Sequence, residues 1–288
     1  MNLKKLATTC LLLGVAASAL AQDDRFAAVT IETVPVTGNI SMLIGSGGNI
    51  GVSTGADGLL IIDDQYEPLA AKIRVALSQQ GSDTPKFLLN THFHGDHTGG
   101  NADFGAASII IAHENVRGRL VAGDSPDSAL PVITFDDDVT VHFNGENITL
   151  IHMPRGRTDT DTDSVVMFEE SNVIHMGDHF FNGGFPFVDL ASGGTVQGYI
   201  SNLEKALSWI DDDTSVIPGH GPLGTKADLL AFYNVVKDTS TTINVMKSQQ
   251  VSVEEAVAEG LGDEYELRGQ GFINQQRWIE TVFASYPR

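Results

Sequence analysis

The chain has 288 residues and a formal net charge of −20, with 37 acidic against 17 basic residues and a single cysteine. A surface this acidic repels nucleic-acid phosphates, so small molecules are the expected partners and no nucleic acid is. The length suits one large domain or two small halves, and a lone cysteine leaves no disulfide within the chain.

The elements, taken in chain order, begin with a leader. Lys4 and Lys5 form a short basic region, residues 6–15 an apolar core too short to span a membrane, and Ala19-Leu20-Ala21 an A-x-A cleavage site. Residues 1–21 are therefore expected to be a signal peptide cut after Ala21. Cys10 goes with it, in a context that suits lipidation poorly. The expected mature protein, residues 22–288, is periplasmic or secreted, without a membrane anchor and without a thiolate.

Residues 29–36, 40–44, 50–53 and 59–63 read as consecutive short strands separated by glycine-rich turns. Residues 66–80 predict a helix, because Leu69, Ile73, Ala76 and Leu77 fall on one face. A strand over 86–90 follows, then a polar loop. Further on, the patterns predict helices over 99–104 and 114–121 and strands over 108–112, 139–143, 148–153, 164–168 and 173–176. Helices over 198–210 and 227–248 flank a strand at 215–217, and a helical extension from about 226 closes the chain with segments 253–261 and 272–285.

The polar loop carries the chemistry. His92-Phe93-His94-Gly95-Asp96-His97 sets three imidazoles and a carboxylate into six residues at the end of a strand. On extended backbone His92 and His94 point the same way, and Asp96 and His97 follow where the chain turns at Gly95. The pattern predicts paired metal sites. Imidazole with carboxylate suits zinc, with manganese or iron as alternatives.

Three segments together resemble the metallo-β-lactamase superfamily. THFHGDHTGG, residues 91–100, is similar to its HxHxDH signature; Met176-Gly177-Asp178 to its Gly-Asp element; and Pro218-Gly219-His220-Gly221 to its late PGHG element. The resemblance runs from about residue 29 to 225. It implies an α/β fold of the αββα sandwich type, two mixed sheets flanked by helices, with metals at one edge. It also implies a bridging Asp178, a first site of His92, His94 and Asp178, and a second of Asp96, His97, Asp178 and His220. The bridging Asp and the absent cysteine point to the glyoxalase-II-like and lactonase-like branches.

One element departs from the pattern. Where the family supplies another histidine, this chain has Arg157, in the segment Pro154-Arg155-Gly156-Arg157-Thr158-Asp159-Thr160-Asp161. A guanidinium offers no lone pair and cannot ligate. Either the first site binds weakly or a neighbour such as His152, Asp159 or Asp161 supplies the missing ligand, or the enzyme works with one ion in the second site, or the chain has kept the fold and lost the chemistry. Arg157 itself could pair with an anionic substrate or with the aspartates around it.

Asp63 ends a strand where a carboxylate can orient a metal-bound imidazole, although it could equally be a turn residue. His113, His142 and His175 read as structural, His113 as a helix cap. His179 follows Asp178 and could face the site. Residues 180–187 hold four phenylalanines with two glycines and a proline, readable as an apolar wall beside the metals, where Asn182 could donate a hydrogen bond.

The function that emerges is an exported hydrolase of small molecules, holding one or two Zn2+, in which metal-bound hydroxide attacks an ester, thioester, lactone or β-lactam and Asp96 handles the proton. The alternatives are a phosphoric or sulfuric ester hydrolase and a non-catalytic binding protein.

Overall fold

The computed structural model describes residues 25–153 and 160–287. The leader and residues 154–159, and with them Arg157 and Asp159, lie outside the described residues.

The N-terminal half forms a seven-stranded sheet in simple sequential order: β1 (Glu32–Thr37), β2 (Ile40–Ile44), β3 (Ile50–Gly55), β4 (Gly58–Ile62), β5 (Phe87–Leu89), β6 (Ile109–His113) and β7 (Ile133–Phe135). Pairs β1–β2, β2–β3 and β3–β4 are antiparallel; β4–β5, β5–β6 and β6–β7 are parallel. Pro35 sits in the edge strand β1, beside an irregularity of register between Pro35 and Thr37, the setting in which a sheet tolerates proline.

The second sheet comprises β8 (Asp138–Phe143), β9 (Glu146–His152), β10 (Ser164–Phe168), β11 (Val173–His175), β12 (Ser215–Ile217) and β13 (Gly224–Thr225), with order β13-β12-β11-β10-β9-β8. Only β11–β12 is parallel. Both sheets are thus mixed.

Strand periodicity decides the layers. Leu60 and Ile62 point inward and pack with Met42, Leu89 and Ile111 against Ile148, Leu150, Val166, Phe168 and Ile217 of the opposite sheet. The alternate residues Leu59 and Ile61 point outward, onto Ile73 and Leu77 of helix α1 (Ala70–Ser78). Because β4 is buried on both faces, its sequence is an unbroken apolar run rather than an alternation.

On the other side Val165, Ile174 and Val216 face outward onto Tyr199 and Leu203 of α5 (Val196–Trp209), Phe232 and Val236 of α6 (Lys226–Ser248) and Trp278 of α8 (Gln275–Ser285). The layers run helix, sheet, sheet, helix, as the resemblance implies. In chain order the remaining helices are α2 (Gly95–Thr98), α3 (Asn101–Gly105), α4 (Glu114–Ala122) and α7 (Val253–Glu259). Asp228 and Thr225 cap α6 reciprocally, and the indole of Trp278 donates to Thr239 Oγ1 at 2.9 Å, fastening α8 to α6. No described helix is long and apolar enough to cross a membrane.

Most predicted elements stand within a few residues of their expected places. The edge strand β7, the two-residue β13 and the single helical turn α2 were not anticipated.

Candidate metal centre

Two parallel strand pairs build the site. In register, Ile62 of β4 lies beside Leu89 of β5, and His175 of β11 beside Ile217 of β12. Both pairs run out at the same rim, so the residues just beyond them, Asp63 with the 92–97 loop and Asp178 with His220, converge. Backbone bonds pin these ends: Asp63 N–H to Leu89 O, Met176 N–H to Ile217 O, Gly219 N–H to Gly177 O and, between the sheets, Ser164 N–H to Thr91 O.

Six ligand-type residues form two groups, His92 with His94 and Asp178, and Asp96 with His97 and His220; within each group the donor atoms lie within 4.8 Å of one another. His92 Nε2 is 3.1 Å from His94 Nδ1 and 3.6 Å from Asp178 Oδ2. The other oxygen, Asp178 Oδ1, is 3.0 Å from His97 Nε2 and 3.2 Å from His220 Nε2. Asp96 Oδ2 completes that group, 3.5 Å from His220 Nε2 and 3.8 Å from His97 Nε2. Asp178 therefore divides its two oxygens between the groups.

This arrangement fits divalent ions. A tetrahedral ion with bonds of about 2.0–2.1 Å holds its donors roughly 3.3–3.4 Å apart, in the middle of these separations. His97 Nε2 and Asp178 Oδ1 are buried and have no hydrogen-bond partner of proper geometry, a costly state for polar atoms unless a cation joins them. The local field agrees. Burial pushes the Asp178 carboxyl up, but the imidazoles of His97 and His220 outweigh it and hold it well below the usual carboxylate range. Burial likewise pushes His97 down, yet Asp178, Asp96 and Asp63 outweigh it and raise His97 well above the ordinary imidazole value.

An outer ring of partners sets which nitrogen of His92, His94 and His97 faces inward. Asp63 is fully buried; its Oδ1 accepts the Thr91 N–H at 2.8 Å, and its Oδ2 accepts the Thr91 hydroxyl and His97 Nδ1–H, both at 2.7 Å. The Thr91 oxygen in turn stands 3.0 Å from His92 Nδ1. One carboxylate thus orients His97 directly and His92 through Thr91, leaving both Nε2 lone pairs for a metal. His94 is turned the other way, Nδ1 inward, with Nε2 3.3 Å from Asp189 Oδ2. Asp63 and Gln65 both adopt left-handed backbone, φ 61° and 59°, a local strain concentrated at the base of the site.

Close approach makes glycine necessary at two positions. A Cβ on Gly48 would lie 2.2 Å from His97 Cε1, and one on Gly219 would lie 2.5 Å from Asp178 Oδ1. His220 is steadied on both sides. Its ring stacks on Phe181 at 4.8 Å and 17°, and the Asn49 amide donates to Pro218 O and Gly221 O at 3.0 and 2.8 Å.

The Asn182 amide donates to Pro222 O at 2.9 Å, so it braces the His220 loop. His179 is buried against Tyr199, with ring centroids 6.0 Å apart, and is not among the residues that line the cavity. His152, considered as a substitute ligand, belongs to neither donor group; its Nδ1 bonds Asp163 O at 3.0 Å and its ring stacks on His113. Asp161, the other such candidate described, binds Arg119 Nε at 2.7 Å. His113 accepts the Asn115 N–H as a helix cap. Sequence reading missed Asp189, Asn49 and Gly48, which carry no motif and reach the site only through the fold.

Above the donors opens a cavity of about 880 Å³. His94, Asp96, Asp178 and His220 line its floor, Gly47 and Tyr66 one side, and Phe181, Phe187 and Phe272 another.

Comparison with known proteins agrees with this geometry. The family model described as the metallo-beta-lactamase superfamily matches residues 44–220. A hydroxyacylglutathione hydrolase of Polaromonas sp. (strain JS666) is 34% identical over 136 residues, 46% of this chain and 47% of that protein. The lactamase-like protein aptB of Emericella nidulans is 26% identical over 206 residues, 67% of this chain and 60% of its own. The chain thus spans about half the length of these curated relatives. Among solved structures, a metallo-beta-lactamase from Pontibacter korlensis superposes with a TM-score of 0.61 at 17% identity, over 73% of this chain and 100% of that one, which speaks for the fold alone.

Proposed function

Because this chain belongs to the metallo-β-lactamase superfamily, we propose that it is a metal-dependent hydrolase that opens an acyl bond (ester, thioester, lactone or β-lactam) of a small molecule outside the cytoplasm. The observation that carries the reading is the division of Asp178 between two donor groups at the floor of an open cavity. The leader-like residues 1–21 support the export, and the name of the hydroxyacylglutathione hydrolase supports hydrolysis of an acyl compound.

His92, His94 and Asp178 would hold one ion, and Asp96, His97, Asp178 and His220 the other. Zinc suits this set of imidazoles and carboxylates, with manganese or iron as alternatives. A bound ion supplies Lewis acidity toward an acyl oxygen and toward water. The protein does the rest. Asp96 presents its carboxylate to the cavity, where it takes a proton from water and returns it to the leaving group. Asp63 and Thr91 keep His97 and His92 in one tautomer, and the phenylalanine side of the cavity excludes water from an apolar part of the substrate.

The test is elemental analysis of protein purified without chelator, run beside Arg157→His and Asp96→Asn on a panel of lactam, lactone, ester and thioester substrates. Turnover that depends on bound metal and falls at least 100-fold in Asp96→Asn, on the order expected for lost general acid–base catalysis, is the expected result. Bound metal without turnover of any acyl substrate sinks the hydrolase reading.

A further inference from the structure

The wall of the cavity is more than a cover. Phe272 is 75% exposed, the most exposed of the described phenylalanines that line the site. Its ring meets Phe187 at 6.0 Å and 63°, and Phe187 lies 5.6 Å from the ring of His94, one of the ion-holding residues. A series of rings thus runs from the floor of the site to its rim. Phe185, deeper in the same wall, is fixed by stacking on the buried Trp278 at 5.8 Å and 15°.

A single cation braces the outer pair. The guanidinium of Arg277 stands 5.4 Å from the Phe187 centroid and 5.1 Å from that of Phe272, holding both rings by cation–π attraction. Phe272 and Arg277 come from the C-terminal tail, beyond residue 220 where the match to the family model ends. An exposed ring is ordinary when alone. Here it is braced, continuous with another ring, and one substituent's length from the residues that would hold the metal.

We infer that Phe187 and Phe272 form a subsite for an aromatic substituent of the substrate, so that the C-terminal tail sets specificity. The inference rests on the acyl-hydrolase reading for its chemistry. A phenyl group one or two atoms from the scissile carbonyl reaches from the floor to these rings and packs on their exposed faces. A methyl group in its place leaves the wall wet.

The experiment compares the acetyl and phenylacetyl thioesters of N-acetylcysteamine, which share a leaving group without a ring, on the metal-loaded protein and on Phe272→Ala. Calorimetric titration of phenylacetate and acetate into both proteins runs beside it. The expected result is a preference for phenylacetyl, of which Phe272→Ala loses roughly tenfold, mostly through KM, with weaker phenylacetate binding. A preference that survives the substitution, or equal losses on both thioesters, overturns the subsite. Should neither thioester turn over, the titration decides separately: loss of phenylacetate binding in Phe272→Ala upholds the subsite while the hydrolase reading falls, and unchanged binding overturns the subsite. Because Phe272 is exposed, an unchanged melting temperature is expected and verifies that the variant folds.

Discussion

His94 Nε2 lies 3.3 Å from Asp189 Oδ2, across 95 residues of chain. With Nε2–H directed at that carboxylate, the lone pair of His94 is on Nδ1, 3.1 Å from His92 Nε2. Asp63 does the same for His97 with the nitrogens exchanged. Each donor group therefore contains one imidazole held by a buried or half-buried carboxylate outside it.

Asp189→Asn separates this role from a structural one. Asp189 Oδ1 accepts the N–H groups of Ala191 and Ser192 at 3.1 Å each, and an asparagine oxygen keeps those bonds. What it loses is the acceptor for His94. The expected outcome is an unchanged fold with the first ion bound about 10–100-fold more weakly, measured by competition with a chromophoric chelator. Equal affinity in the variant and the natural protein would remove Asp189 from the site.

Metal removal should also read out as stability. Ions that bind only the folded chain raise its melting temperature by mass action, and here they would join His97 Nε2 to Asp178 Oδ1. Chelation is expected to lower the melting temperature by several degrees and added Zn2+ to restore it; a ligand at 100 times its Kd contributes about 2.7 kcal/mol. Asp178→Asn should melt at the same temperature with and without chelator, since Asp178 is shared by both groups.

Gly48→Ala tests the close approach beneath His97. The new methyl carbon would lie 2.2 Å from His97 Cε1, so the ring must shift while Asp63 still holds its Nδ1. Overpacking of this kind costs about 1–3 kcal/mol. The variant should fold, with a melting temperature a few degrees lower, and bind the second ion at least about tenfold more weakly. Elemental analysis after dialysis against limiting metal checks this, and full retention of both ions would show that the loop simply moves aside.

The sequence made some of these features visible and hid others, for physical reasons. The ligands at 92–97 were legible because three imidazoles and a carboxylate crowd into six residues, and Asp178 and His220 through the resemblance of their short segments to the superfamily's Gly-Asp and PGHG elements. The order of strands and helices suggested two β-rich halves with helices outside, and the resemblance to the metallo-β-lactamase superfamily implied the sandwich. The edge strand β7 was not: Ile133 and Thr134 are exposed and three residues give no pattern. His179 looked close to the metals because it adjoins Asp178, but residues Gly177–His179 form a 3-10 turn, which rotates successive side chains by about 120°. Asp189, Asn49 and Phe272 join the site through tertiary contact alone.

A pH dependence follows from two histidines that belong to neither donor group. The rings of His113 and His152 stack at 3.6 Å and 16°. Burial first, and then the neighbouring His113, pushes His152 down to about 4; the hydrogen bond to Asp163 O, then Asp136 and Asp161, pull the other way and are outweighed. His113 is lowered too, mainly by burial. Folded His152 thus stays neutral where the unfolded chain, with an imidazole pKa of about 6.5, takes up a proton. Stability is full above pH ~6.5, declines as the pH falls toward about 4, and levels off below. The shift corresponds to at most about 3 kcal/mol, less after solvent screening of the accessible ring edge. Urea unfolding of the natural protein and of His152→Gln, both with excess Zn2+ at pH 7.5 and without metal at pH 7.5, 6 and 5, measures it. The amide can still donate to Asp163 O, so the substitution should flatten the metal-free decline between pH 6 and 5. An equally steep decline in His152→Gln would assign the acid sensitivity to other groups.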